Sequence, residues 1–414
     1  MEKNGRKPKN IKLHNQKLVI NLFRSGKEFS ASEIAAHTQL SITTAVKLLD
    51  ALMAANVIQS IGKGESTLEG GKKPELYVIN SSYKYAIGCY GTEMNAEIML
   101  TDFMCNVICK KSLHYSHPES ADETMREIAE GIRSIVSENN LSPERLCGIS
   151  IGLNGIVDSA KGILSYPVHN SEWGKNLNIL CSVRKYLPEF KNTNIIIDNA
   201  GRFAAYSLLL NHPEYKEKRV FSIIATDYAV GCFMEHGNIV HGNNGLVGEI
   251  GHIRVVPGFR DYKCACGNYG CFESLVNSHA IIRAAKKIGM HEKDSNFYYK
   301  VQNGLCTYKD IFTAADQGSH YAQAVVEYLA ELFSVLIRDI MLTTDPEILS
   351  ISGIYSYSGE YFQKTLLNMV QSIPFEMIGS SVKIDFDTSF DITSAHIGGA
   401  YYMIEQFIRN ISNF

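Results

Sequence analysis

The 414-residue chain has almost no net charge. Its 40 Lys and Arg stand against 43 Asp and Glu, a balance of −3 that by itself says little about partners. It also lacks any run of apolar residues long enough to span a bilayer. The most apolar long stretch, Tyr328–Leu342, is broken by Glu331, Arg338 and Asp339, and reads as a buried amphipathic helix. The N-terminus, Met1–Lys17, is basic but has no apolar core of roughly 7–15 residues, so it is not a secretory signal. A cytoplasmic protein with no membrane partner is expected. Without a secretion signal, ten cysteines do not make a disulfide framework. Cys89, Cys147, Cys181 and Cys232 lie among apolar residues and read as small core side chains. A composition of 45 % hydrophobic and 20 % charged residues excludes a wholly disordered or collagenous chain. The length suggests two to four domains at roughly 100–200 residues each.

The charge is unevenly spread. Residues 1–84 hold 13 Lys and Arg against 7 Asp and Glu, whereas residues 85–414 hold 27 against 36. A small basic piece ahead of a large acidic body points to a polyanion-binding module on a larger domain. Ile11, Leu13, Leu18, Val19, Leu22 and Phe23 recur near the helical period. Ser30-Ala31-Ser32-Glu33 has the S-x-x-E form of a capping box, opening a helix through Ile34, Ala35 and Ala36. After the turn Thr38-Gln39-Leu40, Ser41 caps a third helix with Val46, Leu48, Leu49, Leu52 and Met53 on its apolar side. Helix, tight turn and helix make the helix-turn-helix pattern, whose second helix enters the major groove by its N-terminal residues. Here those residues are Ser41, Ile42, Thr43, Thr44 and Lys47. Val57–Ser60 and Glu75–Ile79 read as two strands around a Gly-rich tip. That makes a wing, with Lys72 and Lys73 placed to meet phosphate or a minor groove. Lys3, Arg6, Lys7, Lys9 and Lys12 form a basic arm. Residues 1–80 are therefore expected to be a winged helix-turn-helix that binds double-stranded operator DNA.

From residue 81 onward, strands alternate with helices, the texture of an α/β domain. Ala86–Cys89, Ala96–Leu100, Leu146–Ile151, Ile195–Ile197, Val220–Ala225 and Ile348–Ser352 read as strands, and Glu123–Val136 and Ala200–Leu210 as helices. The sharpest chemical signal is His252 followed by Cys264-Ala265-Cys266-Gly267-Asn268-Tyr269-Gly270-Cys271. His252, Cys264, Cys266 and Cys271 form a Cys3His set suited to a tetrahedral zinc ion. With four protein ligands no position stays open for water, so the zinc is expected to be structural.

At these residues the sequence resembles the ROK family, which groups sugar-responsive transcriptional repressors, uncharacterised reading frames and sugar kinases. Gly248-Glu249-Ile250-Gly251-His252 matches its E-x-G-H motif, and Cys264–Glu273 matches its C-x-C-G-x2-G-C-x-E motif. Gly152 and Gly155-Ile156-Val157-Asp158 are similar to its G-x-x-G-x-V-D segment. The preceding helix-turn-helix resembles the regulator branch, of the xylose and N-acetylglucosamine repressor type. The resemblance implies a two-lobed, actin-like ATPase-type fold over residues 81–414, with a sugar site between lobes. It implies that Glu249, His252 and Glu273 contact sugar hydroxyls, His252 while also holding zinc. Carboxylates and imidazole give such hydroxyls strong, directional partners once water is excluded. Asn199 stands where the family's E-N-D motif has its Asn, and Asn170 lies in the segment that supplies another sugar contact. The implied partners are a sugar or phosphosugar effector and further copies of the chain, as homodimer or homotetramer.

The departures from the family separate regulator from kinase. The family's first phosphate loop aligns with Thr92-Glu93-Met94, Tyr90 standing at its Asp, and its second with Thr226-Asp227-Tyr228-Ala229-Val230. The glycines of both loops are replaced, and Glu93 and Asp227 bring negative charge where phosphate would sit. Ala200 stands at the general base, and losing such a base costs about 10²–10⁴-fold. The expected function is therefore a non-enzymatic DNA-binding regulator, a repressor of carbohydrate uptake and catabolism genes. The rivals are a sugar kinase with a fused DNA-binding module and a ligand-blind DNA-binding protein with a vestigial pocket.

Overall fold

The computed structural model describes residues 8–64, 73–168, 171–288, 296–373, 382–391 and 393–411. It begins with three helices: α1 (Pro8–Phe23), α2 (Ala31–Thr38) and α3 (Ile42–Ala54). Their ends form where the sequence supplies caps. Ser30 Oγ accepts from the Glu33 amide at 3.3 Å, and Glu33 Oε2 accepts from the Ser30 amide at 2.7 Å, closing the capping box. Gln39 stops α2 in the left-handed conformation (φ 57°), and Ser41 caps α3 through the Thr44 amide at 3.2 Å. The helices bury Val19, Ile20, Phe23, Ile34, Ala45, Leu48, Leu49 and Leu52. Val46 and Met53, expected on the buried side of α3, are instead 41 % and 39 % exposed. The buried stripe is Ala45, Leu48, Leu49 and Leu52, an i, i+3, i+4, i+7 set, and one residue further on the chain has turned about 100° away from it.

Strands β1 (Ile58–Lys63) and β2 (Glu75–Ile79) pair antiparallel, Ile58 opposite Ile79. Phe29 adds a one-residue third strand by exchanging both backbone hydrogen bonds with Tyr77 at 3.0 Å. The hairpin tip with Lys72 lies outside the described residues, while Lys73 is exposed.

Next come β3 (Tyr85–Gly91), β4 (Asn95–Asp102), β5 (Val107–His114), α4 (Ala121–Glu138) and β6 (Leu146–Leu153). A small sheet of β7 (Gly155–Asp158), β8 (Ile163–Pro167) and β9 (Leu177–Asn178) follows, then α5 (Ile179–Tyr186), β10 (Ile195–Asn199) and α6 (Ala200–Asn211). The second half holds β11 (Arg219–Ala225), β12 (Ala229–Glu235), β13 (Asn238–Ile239), α7 (Phe272–Val276) and α8 (Ser278–Ile288). It continues with α9 (Asn296–Gln302), α10 (Tyr308–Asp316), α11 (His320–Thr344), β14 (Ile348–Gly353), α12 (Gly359–Gln371), β15 (Lys383–Phe386) and α13 (Ser394–Asn410). One sheet has the order β10-β6-β3-β4-β5 and the other β15-β14-β11-β12-β13. In each, an antiparallel meander of three strands is extended on its first strand by two later ones. In the second sheet those additions, β14 and β15, are parallel. This repeated α/β arrangement is of the actin-like ATPase type. No described helix is long and apolar enough to cross a membrane.

The chain divides into two compact units. Unit 1 is Met1–Ile151, Cys181–Ile196 and Gly399–Phe414; unit 2 is Gly152–Leu180 and Ile197–Gly398. Unit 2 is centred on α11, whose Phe333 meets Phe272, Tyr355 and Phe362 at ring-centroid distances of 4.8, 4.5 and 5.5 Å. Of the cysteines expected in cores, Cys89, Cys147 and Cys232 are buried. Burial pushes the Cys89 and Cys232 thiols up to about 12, which makes them inert packing groups. Cys181 is exposed instead, because α5 buries Ile179 and Val183 and turns Cys181 outward.

Within unit 1, α1 is fastened to α13 by charge. Arg24 pairs with Glu405, the Arg24 guanidinium lies 5.1 Å from the Tyr401 ring centroid, and Lys17 donates to the Arg409 carbonyl. Side-chain exposure is 10 % for Arg24 and 2 % for Glu405. Desolvation offsets most of the attraction in such a pair, whereas isolating one buried charge costs about 3–5 kcal/mol. Arg24→Met is therefore expected to destabilise the chain by about 3–5 kcal/mol, and adding Glu405→Leu to recover most of it. Calorimetric unfolding reads both variants; equal losses in the single and double variants would refute the ion-pair account.

Candidate functional site

The cysteine loop in unit 2 folds back through its own backbone. The Cys264 amide donates to Asn268 O at 2.8 Å and the Gly267 amide to Cys264 O at 2.9 Å. Gly270 has φ 73°, and a Cβ there would stand 2.0 Å from the Val256 carbonyl oxygen, so only glycine fits. His252 ends a short turn, Ile250–His252, and its Nδ1 lies 3.5 Å from Cys264 Sγ. Cys266 Sγ lies 3.7 Å from Cys271 Sγ, and ligand atoms of His252, Cys264 and Cys266 all fall within 4.8 Å of one another. A tetrahedral zinc with bonds of about 2.3 Å to sulfur and 2.0–2.1 Å to nitrogen needs S–S edges of about 3.8 Å and S–N edges of about 3.6 Å. His252, Cys264 and Cys266 therefore fit zinc in type and spacing, and Cys271, 3.7 Å from Cys266, is the candidate fourth donor. Burial pushes the Cys271 thiol up to about 12 and raises Cys264, so a bound cation is what would hold these two as thiolates.

Of the residues expected at the sugar site, Glu249 and Glu273 lie beside His252 and this loop. Glu249 precedes the His252 turn and is half-buried, and its carboxylate accepts no hydrogen bond from a described residue. Burial raises its carboxyl above the usual range; Arg202 and His252 draw it back and Glu273 adds to the rise. Gly248 has φ 98°, and a Cβ there would stand 2.0 Å from the Gly231 carbonyl oxygen, so the turn leading to Glu249 lies directly on β12. Glu273, in the first turn of α7, accepts from the Ala229 amide through Oε2 at 3.1 Å. Asn199 is the N-cap of α6: Oδ1 accepts from the Gly201 amide and Nδ2 donates to Gly155 O, both at 2.8 Å. Asn170 lies outside the described residues.

Asp198, one residue earlier, is fully buried between Arg202 Nη1 at 2.8 Å and His241 Nε2 at 2.6 Å. Sequence reading missed both partners. The four-residue spacing of Asp198 and Arg202 across a helix start could have revealed the first, whereas nothing local marks His241. Ala200 is buried at 5 %.

The two turns aligned with phosphate loops are closed. Thr92 donates its amide to Asn95 O at 2.8 Å, and Asn95 returns one to Thr92 Oγ1 at 3.2 Å. Thr226 donates to Tyr228 O at 2.7 Å, and Asp227 Oδ1 accepts from Ser278 Oγ at 2.6 Å. In unit 1, the start of α3 presents Ser41, Ile42, Thr43 and Lys47 to solvent, with Thr44 half-buried beneath its cap contact. Ile42 is 60 % exposed.

The family model described as the ROK family matches residues 91–406. The chain is 24 % identical over 380 residues to the xylose repressor of Caldicellulosiruptor bescii, covering 91 % of this chain and 92 % of that one. It is 26 % identical over 408 residues to the DNA-binding transcriptional dual regulator NagC of Escherichia coli K12, covering 97 % and 94 %. Its fold matches the crystal structure of a ROK family transcriptional regulator, a homologue of the E. coli MLC protein. That match has a TM-score of 0.70 at 20 % identity over 96 % of both chains.

The metal geometry makes a direct prediction. The full chain is expected to carry one zinc ion, and Cys266→Ser to lose it and lower the thermal unfolding temperature of the protein. Atomic absorption after gel filtration checks this; metal content unchanged by the substitution would remove the zinc assignment.

Proposed function

The chain belongs to the ROK family, and on that premise we propose that it is a sugar-responsive, DNA-binding transcriptional regulator, a repressor of carbohydrate uptake and catabolism genes acting in the cytoplasm. Residues 1–80 are its winged helix-turn-helix and residues 81–414 its effector-binding body. The observation that carries this reading is the exposed N-terminal face of α3. Two side-chain caps hold α2 and α3 in place, yet Ile42, Thr43 and Lys47 are left without a protein surface. An exposed isoleucine beside a hydroxyl and an ammonium suits the floor of a major groove, where thymine methyls, base edges and phosphates are the available partners. Lys73, and Lys72 by its place in the sequence, add phosphate contacts.

Glu249, Glu273 and His252 supply acceptors for sugar hydroxyls, with Asn199 fixing the start of α6 beside them and Asn170 a further contact by its place in the sequence. A zinc ion held by His252, Cys264, Cys266 and Cys271 serves structure: it would fix the loop that joins two of these acceptors. The chain is not a kinase in this reading. Ala200 cannot take a proton from a sugar hydroxyl, and the closed turns at Thr92 and Thr226 have engaged the amides that a phosphate would need. As a homodimer, or a homotetramer built from such pairs, the protein sets two recognition helices on half-sites about one helical turn, ~34 Å, apart. A sugar or phosphosugar releases DNA only by binding one conformation more tightly than the other.

Selection of genomic fragments on the full chain, followed by salt titration, tests the reading. Operator affinity is expected to fall steeply with salt, and Lys47→Ala to weaken binding and lower the salt slope by about 1. Salt-insensitive binding, or ATP-dependent phosphorylation of a hexose or amino sugar by the purified chain, would overturn it.

A further inference from the structure

The largest fully buried side chain among the described residues is a cation, Arg202, 1 % exposed. Both its terminal amines are fully engaged. Nη1 donates to Asp198 Oδ1 at 2.8 Å and to Val157 O at 3.5 Å, and Nη2 donates to the Gly245 carbonyl and to Val247 O at 3.3 Å. Gly245 and Val247 lie four and two residues before Glu249, in a segment, His241–Val247, that has no regular secondary structure. At the start of the same segment, His241 donates through Nε2 to the second oxygen of Asp198. One buried ion pair thus holds both ends of the segment that delivers Glu249.

Stability alone gives little reason to keep such a pair, because apolar residues of similar volume serve as well or better. What the guanidinium supplies is geometry: a planar fork whose donors reach two loop carbonyls and one carboxylate at once. The pair also has an electrostatic consequence. The charges that act on Glu249 are those of Arg202, His252 and Glu273. Arg202 is neutralised by Asp198 and has no terminal N–H left for a ligand, so the site offers carboxylates.

Building on the effector site described above, we propose that Arg202 is its positioning residue, holding the 241–247 segment so that Glu249 meets an uncharged sugar hydroxyl. The site accordingly selects an unphosphorylated sugar over the same sugar's phosphate ester. Arg202 acts through the segment and does not touch the effector. This takes one arm of the sugar-or-phosphosugar choice, on grounds that the family resemblance does not supply.

The test uses the full zinc-loaded chain and the variants Arg202→Met and Arg202→Lys. The probes are xylose, glucose and N-acetylglucosamine, the last two also as 6-phosphates. Amide hydrogen exchange across 242–248, which needs no ligand, is expected to accelerate about ten-fold or more in both variants as buried carbonyls lose their donors. Affinity for the best neutral sugar should fall about ten-fold or more, while zinc content and ligand-free operator affinity stay within about two-fold. In the unmodified chain the neutral sugar should bind more tightly than its phosphate. If Arg202→Met does not fold, Arg202→Lys carries the test, since it keeps the charge and loses the fork. Unchanged exchange in Arg202→Lys overturns the positioning role, and tighter binding of the phosphate ester overturns the selectivity. A chain that binds operator but no sugar of either series sinks the effector reading itself. Exchange at 242–248 still decides what Arg202 does in that case, so the two failures are distinguishable.

Discussion

The corner where β10 turns into α6 carries most of what is specific to this molecule. Asp198 is removed from water there and must be neutralised, and Arg202, one helical turn on, lies where α6 geometry puts it within reach. The next residue, Asn199, has both ends of its amide engaged, one on the helix start and one on Gly155. Gly152 lies so near that a Cβ there would stand 3.1 Å from Ala200 Cα. A strand end, a helix start and the 241–247 segment are thus bound to one another by polar contacts that burial makes costly to break. Glu249 is what the corner presents.

The cysteine loop adjoins the same residues. His252 is three residues past Glu249 and Cys271 is two before Glu273, so the metal ligands interleave in sequence with the proposed hydroxyl acceptors. On the proposed reading the E-x-G-H and C-x-C motifs act together: a metal closing this loop would fix both carboxylates. Glu273 also receives the Ala229 amide at the start of β12, whereas Glu249 has no hydrogen-bond donor among the described residues.

Features whose cause is local were readable in the sequence. The Ser30 capping box, the Ser41 cap and the alternating strands each have partners close in sequence and the expected geometry, and the Cys3His motif, spread over residues 252–271, brings His252, Cys264 and Cys266 together. The misses have non-local causes. Phe29 becomes a strand because Tyr77 lies beside it, and one residue has no period to detect. Val46 and Met53 are apolar but sit about 100° off the buried stripe, a distinction set by the neighbouring helices. Cys181 differs from Cys89 only in which face of its element looks inward. His241 belongs with Asp198, 43 residues away, through a loop without periodicity. The charge split at residue 84 separates two compositions, yet the first three helices share a compact unit with the strands that follow and with the C-terminal residues.

That shared unit gives α13 its importance. Its first residues, Ser394–Gly398, belong to unit 2, where a Cβ on Gly398 would stand 1.8 Å from the Phe203 carbonyl oxygen, so α13 is seated directly on α6. Its later residues belong to unit 1, where Glu405 holds Arg24, the residue that follows α1. The contact with α6 lies within unit 2 and the contact with the chain leaving α1 lies within unit 1. Desolvation offsets most of what the Arg24–Glu405 pair gains, so its weight lies in partnership: either charge left buried without the other would cost about 3–5 kcal/mol. The pair therefore specifies where the chain leaving α1 sits on α13 more than it adds to stability.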